Sequence, residues 1–272
     1  MTRALTNATA EPKAVDVTIR KCEALEEMQA CFELQKSVWG FADADLIPVR
    51  MFVVAAKIGG QVIGAFAKPD AATQDASKLV GFALAIPGMR KGHAYLHSQM
   101  LAVSTEYRNA GLGRRLKLDQ REDARARGFD LMEWTFDPLE IKNAYLNIVK
   151  LGAIARRYNL NQYGVTSSPL QGGLPTDRLV AEWWMKSKRV EAVLGNGARP
   201  KFECQEHIDV PAQIYAWKAS AATRAQALTV QETNRQKLTA AFAAGLSVLG
   251  YERDQEGNGR FLLGVWNEAW MY

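Results

Sequence analysis

The sequence predicts a mixed α/β fold: a central sheet flanked by helices, with a small α/β extension at the C-terminal end. Three observations carry that expectation. Short aliphatic runs with strand character alternate with longer segments of helical spacing. Glycine and proline mark the changes between them. Strands followed by crossover helices are the pattern of a mixed sheet.

The elements follow in order. "VTIRKC" (17–22) reads as a strand. In 23–40, Leu25, Met28, Cys31, Phe32 and Leu34 recur at helical spacing and a glycine closes the run. A second helix is expected over 47–60, with Pro48 in its first turn and Gly59-Gly60 as its stop. "QVIGAFAK" (61–68) and "KLVGFALAIPGM" (78–89) read as paired strands joined by a polar loop. "AYLHSQMLAV" (94–103) is a fourth strand, 111–128 a helix closed by Gly128, and "FDLMEWTF" (129–136) a fifth strand. Asp137, Pro138 and Glu140 form a capping-box pattern for a helix through Leu151. "TDRLVAEWWM" (176–185) is a late strand. Basic, glycine-bearing 186–201 reads as a linker, and 202–272 as a strand, a long helix near 222–244 and a final strand at 260–266.

This divides the chain into an N-terminal tail (1–15), a core (16–190) and an extension (191–272) packed on the core. The 272 residues suit one large domain or a core with a smaller lobe. No apolar run reaches membrane-spanning length, and residues 1–14 have no signal-peptide core. The three cysteines, Cys22, Cys31 and Cys204, lack metal-ligand spacing and read as reduced thiols of a cytoplasmic protein. The net charge of +5 permits an anionic partner. The cationic residues from Arg114 to Arg127 are diluted by Asp119, Glu122 and Asp123, with no interleaved aromatics, which argues against nucleic acid.

The chemistry-bearing stretch is "LAVSTEYRNAGLGRR" (101–115). Glycines at a strand-to-helix turn let backbone amides approach a ligand closely, and a helix N-terminus favours an anion. The dinucleotide fingerprint would need a glycine where Leu116 stands. The other phosphate loop needs Gly-Lys-Ser/Thr, and Arg114-Arg115 follow Gly113. The stretch resembles the coenzyme A-binding motif of the GNAT superfamily of N-acetyltransferases, with Arg108, Gly111 and Gly113 on its Arg/Gln-x-x-Gly-x-Gly/Ala pattern. The order of elements and "AYLNIVKLGA" (144–153) extend the resemblance over roughly 16–190. It implies acetyl-CoA as cosubstrate and no metal. It implies that the amides of Asn109, Ala110, Gly111, Leu112, Gly113 and Arg114 hold the pyrophosphate. Leu101, Ala102 and Val103 would line the pantetheine arm, and the Leu101 amide would polarise the thioester carbonyl.

An attacking amine must lose a proton. The family often places a glutamate six residues before the valine that ends the fourth strand, and here that place is His97. On a strand 97, 99, 101 and 103 share one face, which turns His97 toward the same cleft as Leu101. Glu133 on the fifth strand is the second candidate base. His93 and His97 could share a metal, but no third ligand is evident. The family's leaving-group tyrosine is replaced by Ile148, so the general acid is open between Tyr145, a water and none. Asn143 stands near the family's helix-opening asparagine and is carried as a coenzyme contact. Trp134, Phe136, Tyr158, Tyr163, Trp183 and Trp184 are either core or the wall of a bulky acceptor site. The reading is an acyl-CoA-dependent N-acyltransferase acting on a small-molecule or peptide amine by direct attack, with a homodimer allowed and the oligomeric state left open. Its rival is a non-catalytic coenzyme A sensor or interaction module of the same fold.

Overall fold

The computed structural model describes residues 16–68, 78–164, 166–195 and 197–271; the N-terminal tail and the loop at 69–77 lie outside the described residues. One sheet of ten strands runs through the molecule in the order β1-β2-β3-β4-β5-β7-β6-β9-β10-β8. The strands are β1 (Val17–Lys21), β2 (Gln61–Ala67), β3 (Leu79–Arg90), β4 (His93–Val103), β5 (Leu131–Phe136), β6 (Ile154–Asn159), β7 (Arg178–Trp184), β8 (Glu206–Val210), β9 (Leu246–Arg253) and β10 (Gly259–Val265). Among the described pairings only β4–β5 is parallel. The rest are antiparallel hairpins and returns.

Helices α1 (Leu25–Trp39) and α2 (Val49–Lys57) cover one face of the N-terminal strands, burying Met28, Cys31 and Phe52 against Phe82, Leu84, Met100 and Ala102. Helix α3 (Leu112–Ala126) covers the other, where Leu112 and Leu116 meet Ile63, Ala65, Val80 and Ala83. Phe82 and Ala83 alternate across the sheet, so a single strand feeds both clusters. The largest cluster joins β5, β7 and Ile141, Ala144 and Ile148 to Ile208, Val210, Leu238, Val248, Phe261 and Leu263 from the C-terminal third.

Three expectations change. Residues 137–140 form a turn rather than a first helical turn: Leu139 N–H donates to Asp137 Oδ1 at 2.8 Å, and helix α4 begins at Ile141 with Glu140 as N-cap. After Ala144 it widens to a π-helix over Tyr145–Lys150, with Leu151 N–H reaching back to Leu146 O. The stretch read as a linker contains helix α5 (Lys188–Leu194), N-capped by Ser187, whose Oγ accepts from Val190 N–H at 3.2 Å. Beyond it come two helices, α6 (Ile214–Ala219) and α7 (Arg224–Ala243), and β9 as an additional strand; β9 joins β6 at Ala155–Val248, so the C-terminal strands extend the same sheet.

A cleft between diverging strands

β4 and β5 touch at their start and part thereafter. The paired residues are Leu96 with Met132 and His97 with Glu133. Beyond them a cleft of ≈ 580 Å³ opens, walled by Ser98–Leu101 on one side and Trp134–Asp137 on the other. The lining also takes in Lys117 of α3 with Asn143, Leu146 and Asn147 of α4 and its π-helical continuation, and Trp39, Phe41 and Asp45 with Tyr163, Ser168 and Arg178. The helix that brings Lys117 into this lining, α3, opens on the glycine-bearing turn.

That turn is built for backbone exposure. A 3-10 turn (Thr105–Tyr107) leads to Asn109 (φ 64°) and Gly111 (φ 75°), the N-cap of α3, both left-handed. Glycine adopts this conformation without the Cβ penalty. The first α-helical bond runs from Arg115 N–H to Gly111 O at 3.1 Å, leaving the amides of Leu112, Gly113 and Arg114 without a partner inside the helix. The side chain of Leu112 is buried, so only its main chain can serve a ligand. Arg108 folds back to donate from Nε to Val103 O at 3.2 Å, closing the turn on the end of β4. Arg114 Nε reaches Lys150 O at 3.4 Å, tying α3 to the end of the π-helix.

A β-bulge in β4 decides which side chains share a face. Leu84 pairs with Met100 and Ala85 with Ser98, so Gln99 is an extra residue. Ala83 and Ala85 lie on one face of β3; their partners Leu101 and Ser98 therefore lie on one face of β4. His97 falls on the opposite face, with Met100 and Ala102. The expectation that His97 shares a face with Leu101 is corrected by this one inserted residue. His97 sits where β4 and β5 are still paired and does not line the cleft. Burial lowers its pKa below the ordinary 6.5, with the Glu133 charge opposing and Lys117, Arg157 and Arg90 adding to the depression. Ala102 is buried against α1 and α2, and Val103 packs beside Leu112 under α3.

Glu133 is not placed as a base either. Only 2% exposed, its carboxylate accepts from both Nη atoms of Arg90 and from Arg157 Nη2, and it does not face the cleft. Its lone pairs belong to an ion network continued by Arg156, Arg157 and Glu182. Tyr145 is displaced as well: its ring lies between Lys150 and Arg253, with the cations 5.6 and 5.7 Å from its centroid, and it does not line the cleft. Leu101 and Asn143 do line it. Of the aromatic candidates, Trp134, Phe136 and Tyr163 are cleft walls, whereas Tyr158, Trp183 and Trp184 are not. Among the described residues no group of three or more His, Cys, Asp or Glu could hold a metal.

The structure also adds residues that strand and helix spacing did not bring forward. Lys117 is 2% exposed; its Nζ donates to Ser98 Oγ at 2.6 Å and stands 3.8 Å from the centroid of the Trp134 ring. Burial pushes its pKa well below the ordinary lysine value. A signal for it existed: Leu112, Leu116, Gln120 and Ala124 mark the buried stripe of α3, and Lys117 stands on it. On the far wall Asp137 and Glu140 share Lys218 of α6, each accepting from Nζ at 2.8 Å. Burial opposes the Lys218 charge, but the two carboxylates outweigh it and its pKa lies above the ordinary value.

The sequence model of the acetyltransferase (GNAT) family matches residues 22–142, the stretch that contains the strand, turn and helix just described. Residues 22–142 thus match a GNAT-family acetyltransferase domain, and the mixed α/β sheet that contains them is of the GNAT N-acyltransferase fold class. Similar solved structures include the ribosomal-protein-S18-alanine N-acetyltransferase of Escherichia coli, 17% identical over 63% of this chain and 97% of that one (TM-score 0.45). Others are Arabidopsis thaliana NAA60 in complex with a bisubstrate analogue (12%, 62% and 99%, TM-score 0.49) and a GNAT family acetyltransferase from Elizabethkingia anophelis with acetyl-CoA bound (13%, 62% and 99%, TM-score 0.44). No curated protein matches the chain.

Proposed function

We propose that the chain is an acyl-CoA-dependent N-acyltransferase that moves an acyl group directly to an amine. The observation that carries this is the cleft between β4 and β5, lined by residues of α3 and α4 and also by residues of α1, the α1–α2 connection and the β6–β7 connection; α1 and α3 cover opposite faces of the sheet. Coenzyme and amine can thus approach one carbon from opposite sides. The amides of Asn109 to Arg114 would hold the pyrophosphate, with the positive end of α3 behind them. The pantetheine arm would lie along Leu101–Val103 as an added strand, with Asn143 facing it across the cleft.

In the transfer the amine nitrogen forms a bond to the thioester carbon, the C–S bond breaks, and the thiol leaves with the proton balance completed by the solvent. The Leu101 N–H is the donor proposed for the developing oxyanion. Asp45, Asp137 and Glu140 line the cleft against Arg178, with Lys218 shared by Asp137 and Glu140, and the one carboxylate in excess suits a cationic amine, small molecule or peptide. Acetyl-CoA and a panel of amines, followed by thiol release, test the reading. Turnover with at least one amine is expected; tight coenzyme binding with no thiol release from any acyl donor would favour the sensor module instead.

A further inference from the structure

The floor of the cleft holds a group that an acetyl donor leaves unused. Following the coenzyme path from the turn at 108–114, through Val103 to Leu101, the next residues along β4 are Met100, Gln99 and Ser98. Beyond Ser98 the strands close at Leu96–Met132 and His97–Glu133. If the thioester lies at Leu101, whatever the acyl group carries beyond its carbonyl points into this closed end. There Lys117 Nζ is buried between Ser98 Oγ and the face of Trp134. No described carboxylate pairs with it, in contrast to Lys218, which is held by Asp137 and Glu140. Ser98 Oγ spends its own proton on Gln120 Oε1 at 3.0 Å.

A methyl group placed there would leave a buried amine with a spare donor against hydrocarbon, which is a costly arrangement. A carboxylate placed there would complete it. The aromatic face already favours an ammonium form, burial opposes it, and an anion at hydrogen-bond distance tips the balance. The cleft, at ≈ 580 Å³, has room for more than an acetyl group.

Resting on the acyltransferase reading above, we infer that the acyl group this chain transfers ends in a carboxylate, and that Lys117 with Ser98 receives it. The donor class is then the coenzyme A monothioester of a short dicarboxylic acid. Lys117 serves as a specificity-determining residue at the acyl end of the cleft.

The test is calorimetric titration of the full-length chain with coenzyme A, butyryl-CoA and succinyl-CoA; the two acyl groups have equal carbon count and differ in the terminal carboxylate. Succinyl-CoA is expected to bind roughly 10- to 100-fold more tightly than butyryl-CoA, as a charge-assisted hydrogen bond supplies. Lys117→Met is expected to erase that ratio while leaving the affinity for coenzyme A itself unchanged, which also reports that the variant is folded. Equal or tighter binding of butyryl-CoA to the wild type overturns the inference without reference to any variant, and so does a preference that survives in Lys117→Met. Should coenzyme A itself fail to bind, the acyltransferase reading falls and takes this one with it. Should coenzyme A bind and the two acyl forms bind alike, only this inference falls.

Discussion

At Gly111 and Gly113 two different demands are made of the same residue type. Gly111 needs its conformation: φ is 75°, and a Cβ there would meet nothing within 4 Å. Gly113 has no such conformational need, since a Cβ there would lie 3.7 Å from Leu101 Cδ2, an ordinary contact; its demand comes from the proposed pyrophosphate site. Gly111→Ala is therefore expected to cost about 1–2 kcal/mol of stability through strain in the left-handed region, read by urea denaturation. Gly113→Ala, which the coenzyme motif accepts, should keep wild-type stability and coenzyme affinity, whereas Gly113→Glu should lose coenzyme affinity, because its carboxylate stands against the proposed pyrophosphate site. Lys117→Met should raise the melting temperature of the ligand-free chain, because it removes a buried amine that lacks a counter-charge. His97 gives a pH signature. Its pKa is depressed in the folded chain, so the unfolded chain binds the proton more readily, and stability falls as pH drops below about 6.5. His97→Gln should flatten that slope between about pH 8 and pH 5. Its rate of thiol release should stay within about threefold of wild type, far from the ~10²–10⁴ lost with a general base.

Arg189 is the clearest case at the scale of elements. Only 7% exposed, it projects from α5 and donates to Gly152 O at 3.0 Å and to Leu249 O, joining the exit of the π-helix to β9. Burial lowers its pKa to about 10, with the Arg199 charge adding to the effect. Arg189→Met should cost about 3 kcal/mol, because buried carbonyls at a helix end lose their donor; chemical denaturation reads it. α5 was also the element least legible in the sequence. "KSKRVEAVL" carries a Ser187 cap and a short apolar face, but two glycines and a proline close behind it read as a linker. The strands β1 to β5, α1 and α3 were legible because each has its own period and its own stop. The start of α4 was not, because the Asp137–Glu140 pattern is equally a turn whose carboxylates answer to Lys218, 81 residues away for Asp137. The glycine turn of the site was legible from local chemistry. The orientation of His97 was not, because alternation along β4 depends on a register shift against β3 that β4 does not encode by itself.

At the scale of the molecule, the C-terminal third shares the main core. Ile208, Val210, Leu238, Val248, Phe261 and Leu263 belong to one cluster with Trp134, Leu151, Leu179 and Trp183. A chain ending near Lys188 would strip that cluster and leave the β6 edge unpaired, so it is expected to lose cooperative folding rather than persist as a coenzyme-binding core. A single unfolding transition for the full chain, seen alike by tryptophan fluorescence and far-ultraviolet dichroism, checks the same point. The bulge at Gln99 has a consequence of another kind. It makes the composition of the cleft a matter of counting rather than of chemistry. Removing that one residue would restore strict alternation and leave Ser98 on the cleft face and His97 on the other, whereas straightening the strand with Gln99 retained would exchange the two. Position-by-position comparison of β4 with a strand that lacks the extra residue would misassign every residue before it, and would put His97 on the cleft face where Ser98 stands.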